Sequence, residues 1–324
     1  MATKLVRIAL ALAISTALLA FVLTRLGSFQ AATRLREFAW GPLAGVYVLS
    51  AVILLVRGVR FARMGKTPVG ATLAATAVQN FLNRVLPMRL GELSFPWMLE
   101  RSTNRDPIHA VLDIVVVRLL DLTISMLAVV FGAVVLAGDI HAPDMRIVVA
   151  FGVAIVLVLL AFRRLVGLAS RALLAVTRAP VFARFRSIAE RVAKAAATAN
   201  ALSRKARLEL VVWSLVLFAL QAAAYGRVLA AWNVHVAPLP LLFASGAVFV
   251  GAAIFAGGFG AFGSLEAGWL AGFVAVNVPR DAAVVTALGC QLATLAFAAF
   301  HAVVGWLAFE MNPMRQRLRR GARP

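Results

Sequence analysis

Residues 80–96 read NFLNRVLPMRLGELSFP, and they interrupt a chain otherwise built of alanine, valine and leucine. Arg84, Arg89 and Glu92 fall inside this stretch, together with two prolines and Gly91. Proline removes a backbone donor and clashes with the preceding turn, and glycine loosens the backbone, so one unbroken helix does not fit these residues. A broken backbone carrying three ionisable groups in apolar surroundings calls for an explanation from the rest of the chain.

Composition sets the context. Of 324 residues 62% are hydrophobic and only 14% charged, too few to cover a soluble surface of this size, which implies a polytopic membrane protein. The formal net charge of +20 would suit nucleic acid, but the basic residues lie between apolar runs and form no separate basic face. Nucleic acid is therefore not an expected partner. The single Cys290 excludes an intrachain disulfide.

Six apolar runs are long enough to span about 30 Å of hydrocarbon as helices: 8–23, 42–62, 108–136, 145–163, 208–231 and 281–308. The first follows Lys4 and Arg7 and resembles a signal peptide, but it lacks a clear small-residue cleavage site and more spans follow, so a transmembrane helix is the better reading. Two further apolar stretches, 67–100 and 240–277, are broken in the middle by glycine and proline. Non-helical backbone at membrane depth needs protein or a wet cavity around it. The expectation is an all-α polytopic membrane protein with six full spans and two re-entrant helical hairpins; a pair of full spans in place of each hairpin, giving eight, is the alternative.

Charge then orients the chain. Arg57, Arg60, Arg63 and Lys66 follow the second span, residues 163–207 carry eleven Lys and Arg, and the tail MRQRLRRGARP is basic. The loops near 137–145 and 232–240 are poor in positive charge, so both termini are expected inside and those loops outside. Residues 1–136 then run span, span, hairpin, span from inside, and residues 145–308 repeat that order from outside. Glu266 lies 174 residues beyond Glu92. Two such halves are the layout of an inverted-repeat transporter within a single integral membrane domain. Within the second half, residues 164–207 form a cytoplasmic basic segment whose part 181–207 is amphipathic and suits a helix lying on anionic lipid.

Catalytic signatures are sparse. The four histidines, His109, His141, His235 and His301, lack metal-ligand spacing, and no phosphate-binding GxxxxGK[ST] occurs. Gly258, Gly260 and Gly263 match GxGxxG but follow no strand, so they fit sharp turning and close helix approach better than dinucleotide binding. No enzyme activity, cofactor or metal is expected. Ionisable groups at membrane depth are costly, about 2.5–3.5 kcal/mol each on insertion scales, and mark function by default. Glu92, Arg118, Asp121 and Glu266 are such groups. Arg118 and Asp121 share a helix face at i, i+3, either as an internal packing pair or as part of a cavity that admits a charged lipid headgroup. Arg84 and Arg89 are expected near the cytoplasmic interface, as simple anchors or as the first phosphate contacts.

These residues carry a resemblance. NRVLPMRLGE, then VVVRLLDLTISML, then GGFGAFGSLEAG resemble the membrane region of the lysylphosphatidylglycerol synthase/flippase-like family, whose pattern is N-x-x-x-P-x-R-x-G-E, E-R-x-x-D and a Gly-rich stretch ending in Glu. Asn83, Pro87, Arg89, Gly91, Glu92, Arg118, Asp121, Gly258, Gly260 and Glu266 match it. Val117 stands where the family often has Glu, and Gln291 where an Arg is common. The resemblance implies a helical bundle with hairpins that moves lipids between leaflets of a bacterial inner membrane. The sequence ends after the last span, without the synthases' soluble aminoacyl-transferase domain, so synthesis of lysyl-lipid is not expected.

The expected function is movement of an anionic phospholipid or polyprenyl-phosphate-type lipid. The alternative is a non-transporting subunit that scaffolds a partner enzyme of lipid or envelope metabolism. Glu92 and Arg118 lie 26 residues apart, and Glu266 and Gln291 lie 25, which makes Gln291 the counterpart of Arg118. On this reading Arg118 holds a phosphate in transit, and Asp121 orients its guanidinium.

Overall fold

The computed structural model describes residues 39–137, 190, 203–254 and 264–312. The expected spans at 8–23 and 145–163, the amphipathic stretch apart from Glu190 and the last residues of 181–207, and Gly258 and Gly260 lie outside the described residues. So do the side chains of Pro87 and Arg89.

The described chain is almost entirely helical. Its order is α1 (Trp40–Gly65), α2 (Val69–Val85), a 3-10 segment (Pro87–Leu93), α3 (Ser94–Thr103), α4 (Pro107–Ala137), α5 (Arg204–Ala231), α6 (Pro238–Ile254), α7 (Ser264–Ala275) and α8 (Arg280–Glu310). Local chemistry explains the ends. Asp106 accepts from the backbone of Ile108 at 2.9 Å to start α4, and Ser203 accepts from Ala206 at 3.2 Å to start α5. Asparagines follow three helices in the left-handed conformation, Asn104 at φ 56°, Asn233 at 56° and Asn277 at 65°. Asparagine tolerates that region because its short polar side chain bonds locally.

Four helices, α1, α4, α5 and α8, are long and apolar enough to cross a membrane. They are apolar on both faces. Along α4, Val111, Val115, Leu119, Met126, Val130 and Val134 are exposed, while Leu112, Val116, Leu120, Ile124 and Ala128 are buried. A helix hydrophobic all round in the absence of a large surrounding core is one that meets lipid. The polar residues Thr72, Thr76, Gln79, Ser125, Ser214 and Gln291 are buried instead.

The two broken stretches are helical pairs, α2–α3 and α6–α7. α3 has 10 residues and α7 has 12, rises of about 15 and 18 Å, well short of the hydrocarbon thickness. Phe61 of α1, Ala74 of α2, Met98 of α3, Ala110 of α4 and Phe309 of α8 share one core. A second core joins Val46 of α1, Leu229 of α5, Phe273 of α7 and Ala283 of α8, with Val234 and Val236 packed against it. The first pair thus starts and finishes at the end of the bundle holding the C-termini of α1 and α8. The second starts and finishes at the end holding the N-terminus of α8. α2 packs along α8, and α6 along α4.

The tip of the first pair shows why its glycine is there. A Cβ on Gly91 would sit 2.3 Å from the backbone nitrogen of Asn83 and 2.4 Å from the carbonyl carbon of Leu82. No side chain fits between the 3-10 segment and the end of α2. Leu86, before Pro87, is extended at ψ 141°, as the proline ring requires.

Candidate functional site

The first tip delivers Glu92 to the middle of α4. There Arg118 donates to the Glu92 carboxylate from Nε at 3.1 Å and from its terminal nitrogen at 3.0 Å. Asp121, one turn further on, is held by a different arginine. Arg60 of α1 grips both of its carboxylate oxygens, at 2.7 and 3.0 Å, and also donates to Ser214 of α5 at 2.7 Å. Arg60 is 1% exposed, so a charge beyond the reach of solvent ties three helices together.

Two expectations change here. Asp121 does not orient Arg118; it is occupied by Arg60. Helical side chains lean toward the N-terminus of their helix, so Arg118 reaches back to Glu92 and away from the residue one turn beyond it. Arg60 and Arg57, read from the sequence as inside charges following a span, are also part of the polar interior. Their i, i+3 spacing within the apolar run 42–62 was the available signal, but an arginine near a span's end reads equally well as an anchor.

A cavity of about 280 Å³ opens between these groups, lined by Arg57, Glu92, Arg118, Asp121 and Ser125 on its polar side. Its apolar wall includes Ile114, Val115, Leu119, Leu122 and Phe249. Val115 and Leu119 are 45% and 40% exposed and belong to the outward stripe of α4, so the charged cavity has its mouth on the lipid-facing side.

The other expected residues are elsewhere. Arg84 stands at the tip of the first hairpin, fifteen residues or about 22 Å along α2 from its mouth, and donates to Thr294 of α8 at 2.8 Å. It is therefore deep in the bundle and not at the interface where the sequence placed it. Glu266 lies in the first turn of α7 and Gln291 is fully buried in α8; neither lines the cavity that holds Glu92. Asn83 flanks the Gly91 contact, and Pro87 opens the 3-10 segment. Asp113, buried and paired with Arg105 at 2.6 Å, escaped the sequence reading; it ties the end of the first hairpin to α4. Among the described residues no group of three or more His, Cys, Asp or Glu is placed to hold a metal ion.

The chain matches the family described as lysylphosphatidylglycerol synthase TM region over residues 8–301. It belongs to that family. The match takes in both hairpins and all of the charged cavity, and with the four long apolar helices it makes the chain a multi-pass integral membrane protein of a family related to lipid handling. No curated protein and no solved structure matches the chain.

Proposed function

We propose that this lysylphosphatidylglycerol synthase TM region protein moves an anionic phospholipid or polyprenyl-phosphate-type lipid between membrane leaflets, with no chemical step and no cofactor. The observation that carries this is the cavity: charged groups at the middle of a 31-residue apolar helix, with a mouth flanked by lipid-facing Val115 and Leu119. A headgroup entering there keeps its acyl chains in the bilayer while its charge meets arginine, which lowers the cost of crossing hydrocarbon.

The helix pattern supports an inverted repeat with two re-entrant hairpins. Lengths correspond in order, 26 and 28 residues for α1 and α5, 17 and 17 for α2 and α6, 10 and 12 for α3 and α7, 31 and 31 for α4 and α8. The packing of α2 on α8 and of α6 on α4 is reciprocal, and the hairpins enter from opposite ends. Alternating access by rocking of one half against the other follows from such a layout. The basic end carrying Arg63 and Lys205 is the cytoplasmic one, in a bacterial inner membrane with both termini inside.

The test is movement of a fluorescent phosphatidylglycerol in liposomes that contain only this protein. Wild type should move it, and Arg118→Gln should slow it about tenfold or more, the effect of losing a charge-assisted contact of roughly 1.5–3 kcal/mol made at the barrier. A wild-type protein that moves nothing unaided would favour a scaffolding subunit of a partner enzyme.

A further inference from the structure

Charge around the cavity does not balance once Arg60, buried behind its wall, is counted. Glu92 is taken by Arg118 and Asp121 by Arg60, one guanidinium to each carboxylate. Arg57 also lines the cavity and makes no ion pair among the described residues; its contact is with the Asn80 side-chain oxygen at 3.5 Å, the outer limit of a hydrogen bond. Arg60, Arg84 and Arg118 all act on it electrostatically, with Asp121 as the acidic neighbour. A partly buried guanidinium among like charges is costly unless an anion joins it. With Asp121 neutralised from behind by Arg60 and Glu92 by Arg118, Arg57 is left as one positive charge at the cavity wall, the complement of one phosphodiester.

The cavity has room for the ligand: about 280 Å³ accommodates a phosphate and a few attached heavy atoms, and its open side leaves the rest of a lipid outside. We infer that Arg57 is the residue that holds the phosphate of a lipid phosphodiester, and that it does so as the one arginine of the cavity lining that, among the described residues, is not already committed to a carboxylate. Arginine suits this because its planar fork meets two phosphate oxygens at once. The inference rests on the lipid-movement reading for its ligand source. It adds a residue outside the sequence motif.

The experiment uses the full-length chain in detergent micelles, with binding of phosphatidylglycerol, diacylglycerol and glycerol 3-phosphate measured on wild type and Arg57→Gln. Wild type should retain phosphatidylglycerol at least tenfold more tightly than the other two, and R57Q should lose that preference while unfolding at the wild-type temperature. Equal affinity for diacylglycerol or for tailless glycerol 3-phosphate would overturn the inference, as would phosphatidylglycerol binding that R57Q leaves unchanged. Should R57Q not fold, wild type answers alone. An arginine-directed dicarbonyl should modify Arg57 in lipid-free protein and spare it when phosphatidylglycerol is bound, with exposed Arg63 modified in both; Arg57 modified equally in both would overturn the site. The two readings fail separately. R57Q that moves lipid at the wild-type rate sinks the role of Arg57 alone, whereas Arg57-dependent binding without movement sinks transport and leaves the site.

Discussion

Replacing Asp121 by asparagine removes the one carboxylate that, among the described residues, pairs with Arg60, whose guanidinium is 1% exposed and makes three hydrogen bonds at 2.7, 2.7 and 3.0 Å. Breaking a buried ion pair from one side costs about 3–5 kcal/mol, because the remaining charge stays buried and uncompensated. Two features lower that figure. The Asp121 side chain is 23% exposed to the cavity, and asparagine keeps one neutral acceptor, itself a bond of about 1 kcal/mol. Asp121→Asn should therefore destabilise the fold by about 2–3 kcal/mol. Removing both charges, as in Arg60→Met with Asp121→Leu, strands nothing, since Ser214 can turn to a carbonyl of its own helix. The double variant should lie within about 1 kcal/mol of wild type. The assay is SDS-titrated unfolding in mixed micelles of wild type, D121N, R60M, D121L and the R60M/D121L double variant, the last three read with wild type as a double-mutant cycle. If D121N unfolds like wild type, or the double variant is as unstable as D121N, Arg60 is not a charge that depends on Asp121.

The Arg118–Glu92 pair is more open, at 39% and 25% exposed, so Arg118→Gln should cost no more than about 1 kcal/mol in the same titration; a loss comparable to D121N would make its effect on lipid movement a matter of folding. Gly91→Ala should destabilise the hairpin tip by about 1–3 kcal/mol, since its methyl meets the backbone of Leu82 and Asn83, while Gly70→Ala, with nothing within 4 Å, should be neutral or slightly stabilising; equal behaviour of the two would contradict the close approach at the tip. In a Cys290→Ala background, single cysteines at Asn104 and Asn277 should label from opposite sides of the membrane with an impermeant reagent, the second from outside; labelling from one side would rule out hairpins entering from opposite ends.

Much of the architecture was legible because membrane physics writes it in composition. Lipid supplies no hydrogen bonds, so a spanning segment must be an apolar helix of about twenty residues, and such runs can be read directly. The runs at 42–62, 108–136, 208–231 and 281–308 became α1, α4, α5 and α8 with ends shifted by a few residues. The break within 67–100 was equally readable, because proline and glycine act locally on the backbone, while the glycine-rich residues expected to break 240–277 lie outside the described residues. The motif residues Gly91 and Glu92 were marked for the same reason: one needs a missing side chain, the other is a charge where charge is expensive.

Partnership among the charges belonged to the tertiary structure. Arg118 and Asp121 are three residues apart and share a helix face, yet their partners are 26 and 61 residues away in sequence, at Glu92 and Arg60. Nothing local distinguishes Arg60, which is buried, from Arg63, which is 63% exposed and pairs with Glu209 at 2.6 Å. Both stand near the end of the same apolar run. Only the packing of α1 against α4 and α5 decides which of them faces the interior, and so leaves Arg57 at the cavity wall with no ion pair of its own among the described residues. A membrane sequence sets the cost of each charge by depth, whereas the charge's partner depends on which helix lies opposite, and that is a property of the assembled bundle.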